Sequence, residues 1–202
     1  MGAAIALVVA LAVGYGLPAE AHTVSSGKRS LAALLAKDGR GFDRNSRDFD
    51  IVDNAVRAVL TADPASPVAV LADGGTRLTA FLPTDQAFRI LVKDLTGTWY
   101  PKEKDVFAAV ASLGVDTVEA VLLYHVVPGA TIGYRQALSS NGAALTTASG
   151  GTVTVRVRSG IFLALIDADP DDADPYVVRP NLNKGNKQIA HGIDRVLRPV
   201  DL

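Results

Sequence analysis

The chain has 202 residues, 49% hydrophobic, 20% charged and 6% aromatic, with a formal net charge of -1 and no cysteine. That length fits one domain or two small ones, and the apolar content suffices for a core, which argues against intrinsic disorder. The lack of Cys excludes a disulfide scaffold, Cys-ligated zinc and a thiol nucleophile, and the near-zero charge provides no field for nucleic acid or anionic lipid.

The apolar run Ala3–Val13, AAIALVVALAV, falls within the roughly 7–15 residues of a signal-peptide core and short of the roughly 18 needed to span a membrane. Gly14, Gly16 and Pro18 follow it, and Ala19-Glu20-Ala21 has the A-x-A form of a cleavage site. Residues 1–21 are therefore expected to be a signal peptide. Its removal takes away Glu20 and leaves acids and bases balanced. With no lipid-anchoring Cys after the run, the expectation is a secreted, extracellular protein, bacterial in character, whose mature chain has no transmembrane segment.

Residues 22–48 are expected to form an extension with one short helix, capped by Ser30 and carrying Leu31, Leu34 and Leu35. Phe49–Leu60 has apolar residues at helical spacing, and Asp63-Pro64 and Ser66-Pro67 close it. Val68–Leu71 is too short to assign. After the turn Asp73-Gly74-Gly75, Arg77–Leu82 reads as a buried strand, and Thr84 caps a helix that carries Asp85 in its first turn. Another helix is expected over Lys102–Leu113. The capping-box spacing Asp116-Thr117-Val118-Glu119 predicts a helix that puts Val118, Val121, Leu122 and His125 on one face and stops at Pro128-Gly129. The period then changes, and Thr131–Leu138 reads as a strand. Val153, Val155 and Val157 alternate with polar residues between the turn signals Gly150-Gly151 and Ser159-Gly160, and Ile161–Ile166 is a continuous apolar strand. Beyond the acidic loop Asp167–Pro175, strands are expected at Tyr176–Arg179 and Ile189–Leu197. Helices first and strands later argue for an α+β fold.

Three segments carry a family resemblance. Thr79-Ala80-Phe81-Leu82-Pro83-Thr84-Asp85-Gln86-Ala87-Phe88 is similar to the strand-into-helix motif of fasciclin domains, usually T-x-F-A-P-T-N-x-A-F. Leu122-Leu123-Tyr124-His125-Val126-Val127-Pro128-Gly129 resembles their central Tyr-His segment. Ile189-Ala190-His191-Gly192-Ile193-Asp194-Arg195-Val196-Leu197-Arg198-Pro199 resembles their closing motif, usually I-H-x-I-D-x-V-L-x-P. The resemblance covers 49–202 as one domain. It implies helices packed on a β-wedge, and a non-catalytic role in cell adhesion or matrix contact. The structural positions it marks are Phe81, Pro83, Thr84, Asp85, Phe88, Pro128, Gly129, His191, Ile193, Asp194, Val196 and Leu197. The core expected to hold the scaffold is Phe81, Phe88, Leu122, Val126, Ile193 and Val196. Against the family pattern, Asp85 replaces the usual Asn, Gly192 a β-branched residue, and Lys187-Gln188 an Asn-Gly turn. The connections Trp99–Lys104 and Asp167–Lys187 are longer than usual.

Several residues stand out as candidate contacts. Tyr124 and His125 read either as a packed pair or, by the resemblance, as part of the segment that contributes to receptor binding in some animal members. Trp99 and Tyr100 could grip a partner or plug a core gap beneath their loop. Arg156 and Arg158 point the same way from one strand, as edge protection or as a weak basic face for an acidic polysaccharide. Asp167, Asp169 and Asp171 have the alternate spacing of hard-oxygen ligands for Ca2+, but the calcium-loop template wants Gly and Glu where Asp172 and Val178 stand. No cofactor is expected. His191 and Asp194 cannot easily form a relay, and no G-x-S-x-G elbow supports a hydrolase. The sequence thus points to a monomeric, non-enzymatic adhesion protein with an unidentified surface protein or extracellular polysaccharide as partner. The alternative is a Ca2+-tuned polysaccharide-binding module, with a secreted hydrolase disfavoured.

Overall fold

The structure, a computed structural model, describes residues 27–37, 39 and 41–200. The expected signal peptide lies outside the described residues.

Helix α1 (Leu31–Leu35) starts where the Ser30 hydroxyl accepts from the Ala33 amide, and it buries Leu31 and Leu35. Each such leucine contributes about 1.5–3 kcal/mol by leaving water. Both belong to the cluster formed by α2 (Asp50–Ala62), α3 (Asp85–Thr96), α4 (Glu103–Ala111) and α5 (Val115–Tyr124), so the segment before Phe49 shares the main core. The unassigned stretch is a 3-10 helix, Pro67–Ala72, capped by Ser66. Thr84 caps α3 through its hydroxyl, and Gly97, at φ 69°, ends that helix in the left-handed region. No single helix among the described residues is long and apolar enough to cross a membrane.

The strands form two sheets. In the first, β2 (Val126–Pro128), β1 (Leu78–Pro83), β7 (Gln188–Ile193) and β6 (Val177–Leu182) lie in that order. β1 pairs antiparallel with β2 and parallel with β7, Phe81 opposite His191 and Pro83 opposite Ile193. Parallel neighbours need a crossover, and here it is nearly the whole of the chain between them. The three segments of the family resemblance therefore meet around β1. In the second sheet, β3 (Ala144–Thr146), β4 (Thr152–Arg158) and β5 (Phe162–Ile166) form a meander with turns at the two expected positions. Phe81, Tyr124, Val127, Val153, Leu165, Ile193 and Leu197 fill the space between the sheets. All six residues of the expected scaffold core are buried.

Four local expectations are corrected. Helix α5 begins at Val115, one residue before the expected Asp116 cap, behind Gly114 at φ 90°, which has no side chain to cap it, and the Glu119 carboxylate accepts from the Ser66 hydroxyl instead of closing a capping box. The same helix stops at Tyr124, before Pro128, and Val126 and Val127 pair with β1. Within Thr131–Leu138, Tyr134–Leu138 is a helix, α6, which buries Ala137 against Val155 and Leu163. The Ile132 and Tyr134 amides there bond the side chains of Thr79 and Asn181 rather than a neighbouring strand. The last strand ends at Ile193, and the Asp194 side chain takes the Tyr176 amide.

Gly192, a departure from the family pattern, has a steric reason. A Cβ there would stand 2.8 Å from Arg179 Cβ and 3.0 Å from the Phe49 ring. Phe49 occupies that space, and the Arg179 guanidinium lies 5.0 Å over its centroid.

Candidate functional site

Tyr124 and His125 sit where α5 turns into β2. The Tyr124 hydroxyl donates to the Thr152 carbonyl at 2.8 Å, and its ring lies where a side chain on Gly151 would clash. Burial, then the Asp167 charge, pushes its phenol up. His125 is 4% exposed. The Leu197 amide donates to its Nε2 at 2.9 Å, so Nδ1 carries the hydrogen and donates to the Val121 carbonyl at 2.7 Å. Burial brings this imidazole down to about 4. His191 is held the same way, its Nε2 2.8 Å from the Ile132 carbonyl and its Nδ1 accepting from the Asn181 amide at 3.3 Å, and burial lowers its pKa. Both rings are thus neutral and fully engaged by backbone. They join segments distant in the chain, α5 to the segment after β7 and β7 to the segment before α6, and neither is available as a general base.

The acidic loop is closed by basic residues from the chain's end. Arg198 bonds Asp169 at 3.1 Å, Asp94 at 2.9 Å and Asp172 at 3.1 Å through its guanidinium, and its amide donates to Asp167. Arg195 adds a contact to Asp172 at 3.4 Å. Amides of Asp169 and Asp171 donate to the carboxylates two residues earlier. Burial works against charge on Asp169, but the Asp171 amide and Arg198 outweigh it and hold its carboxyl below the ordinary range. Asp167 and Asp169 therefore serve an internal clamp, with Asp171 on its solvent side.

Arg156 and Arg158 lie on the half of β4 that pairs with β5 alone, beyond the reach of β3. Arg158 reaches Asp174 of the same acidic loop at 3.8 Å. The aromatic pair divides: Tyr100 packs against the helical core, while Trp99 is 47% exposed.

A cluster that sequence reasoning missed lies at the convergence of three helix N-termini. Asp50, Asp85 and Glu103 are the first residues of α2, α3 and α4, and all three are buried. Helix α2 has no cap of its own at Phe49. Asp85 supplies one from the neighbouring helix, accepting the Ile51 amide at 2.8 Å and the Asp50 amide at 3.3 Å. Glu103 accepts from the Asp43 amide at 2.9 Å and from Arg89 at 3.0 Å, and burial still pushes its carboxyl up. Asp48, 2% exposed, completes the group; both its carboxylate oxygens are buried and accept from no amide, hydroxyl or guanidinium. What Asp48 faces is Asp85, whose carboxyl is driven well above the usual range by burial and then by Asp48 itself. Among the described residues Asp43, Asp48 and Asp85 make no ion pair, while Arg89 serves Glu103. The signal in the sequence was the acid at 85 where the family usually has Asn, together with the acids at 43, 48 and 50.

The family model described as Fasciclin domain matches residues 53–199. Among curated proteins, none matches the chain significantly. Among solved structures, the chain is similar to a FAS1 domain pair from the insect cell adhesion molecule fasciclin I, with 17% identity and a TM-score of 0.44. The match covers 72% of this chain and 46% of that one, so the chain spans about half the length of that relative. With the family model matching most of the chain, across the strands and helices that meet at β1, the chain belongs to the fasciclin domain family.

Proposed function

We propose that the chain is an extracellular, bacterial adhesion module, exported through its N-terminal apolar segment and cleaved after Ala21, that engages a surface protein without catalysis. The observation that carries this reading is an exposed apolar tip. Ile161 and Phe162, at the β4–β5 turn, are 61% and 54% exposed. The bridge between Ala164 and Tyr176 brings β6 alongside, and Tyr176 and Val178 are exposed there as well. Scattered exposed apolar residues are ordinary, but several on neighbouring strands resemble the apolar centre of a protein interface. The commitment of both described histidines to backbone supports a role without acid–base chemistry.

The test uses beads coated with the protein cleaved after Ala21 and scored for attachment to cells and to purified matrix proteins. Ile161→Ser with Phe162→Ser is expected to reduce attachment at least about tenfold, the scale of losing a central interface anchor, with the melting temperature nearly unchanged. Full attachment by that variant would refute the tip as the contact surface. N-terminal sequencing of the protein from culture medium is expected to begin at His22.

A further inference from the structure

We propose that the buried carboxylate cluster of Asp48, Asp50, Asp85 and Glu103, with Asp43 at its rim, binds one hard divalent cation, Ca2+ by preference. Two sets of oxygens converge there. Ligand atoms of Asp50, Asp85 and Glu103 lie within 4.8 Å of one another, as do those of Asp43, Asp48 and Asp50, with Asp50 common to both. Ca2+ holds oxygens at roughly 2.3–2.6 Å, so opposite ligands on one ion stand about 5 Å apart. The donors are all carboxylate oxygens, which suits Ca2+, Mg2+ or Mn2+ and not the metals that favour nitrogen or sulfur.

Asp48 is the independent observation. A buried carboxylate with no donor on either oxygen is costly unless something fills the space it faces. A proton shared with Asp85 satisfies one of its oxygens and leaves the other bare, whereas a cation accepts both. The neighbours are already oriented for this. Asp85 and Glu103 direct lone pairs at fixed amides and at Arg89, which locks their rotamers and leaves further lone pairs for a metal. The cluster meets solvent on its Glu103 side, where Glu103 borders a groove with the exposed Asp43, Arg89 and, on the rim, Arg44, Lys102 and Lys104. Such an ion would tie together the N-termini of three helices and the loop that precedes α2. This site is distinct from the acidic loop, whose carboxylates Arg198 takes up.

The test is calorimetry and thermal denaturation of the full chain after chelator treatment, titrated with Ca2+ and separately with Mg2+ and Mn2+. One Ca2+ per chain is expected, with Kd of roughly 10⁻⁴–10⁻³ M, the range of extracellular modules, and a melting temperature that rises with Ca2+. Asp48→Asn should weaken binding at least about tenfold, the scale set by altering groups around a metal. Asp43→Asn, at the exposed rim, should also weaken binding, and it keeps the test decisive if Asp48→Asn fails to fold. Asp171→Asn should bind as the parent does. No heat and no thermal shift with any of the three ions would overturn the proposal and leave a shared proton between Asp48 and Asp85. Binding that survives Asp43→Asn and a folded Asp48→Asn, or that Asp171→Asn abolishes, would overturn it too.

Discussion

Replacing His125 with Gln removes a titrating group while keeping one donor and one acceptor near Val121 and Leu197. In the folded protein burial lowers this imidazole from 6.5 to about 4. The unfolded chain therefore binds a proton that the folded chain refuses between those values, and stability must fall as the pH falls. The contribution is fully present above the unfolded value and is lost progressively toward the folded one. From the two values the linkage relation gives a loss of about 2 kcal/mol near pH 5 and about 3 kcal/mol near pH 4. Asp85 and Glu103 act with the opposite sign: their raised carboxyls hold protons in the folded state, so their contribution falls as the pH rises through the same region. His191 shares the sign of His125. All three remain in both proteins, so the difference between parent and His125→Gln isolates His125. Urea unfolding followed by circular dichroism at about pH 7.5 and about pH 5 measures that difference. The parent's advantage should shrink by about 2 kcal/mol at the lower pH. An advantage of equal size at both would refute the reasoning.

Gly192→Val is expected to cost about 1–3 kcal/mol by forcing a side chain against Phe49 and Arg179. Combined with Phe49→Ala it should cost less than the two single changes added together, and strict additivity in urea titrations would refute the steric account. Arg198→Ala should destabilise by about 1.5–3 kcal/mol, because Asp169, still held by backbone amides, loses its charged hydrogen-bond partner. A loss under about 1 kcal/mol in thermal denaturation would place that pair with ordinary surface ion pairs.

Local chemistry was legible from the sequence. Ser30 and Thr84 cap the helices they precede, since a hydroxyl three residues before an amide needs nothing more distant. The alternation in Val153–Val157 and the two flanking glycine turns became β4 with its hairpins. Errors fell where a distant partner won. Glu119 left its own helix end for Ser66, and the 131–138 segment gave up a strand for bonds to Thr79 and Asn181. The candidate contacts changed in the same way: Arg158 closes on the acidic loop of its own chain, and Asp169 of that loop is taken up by Arg198.

The sequence by itself determined the α+β class and the family, because three motifs of strand, turn and cap residues carry their conformations locally. It also set the absence of thiol chemistry. Only the tertiary structure decided which charges meet. Helix starts at Asp50, Asp85 and Glu103 are far apart in the chain, and packing α2, α3 and α4 on one core brings their N-terminal ends together. There the near-zero net charge of the whole chain resolves into a buried concentration of acids around a single arginine among the described residues. Composition averages charge over the molecule, whereas the energy of a carboxylate depends on what lies within a few ångströms of it.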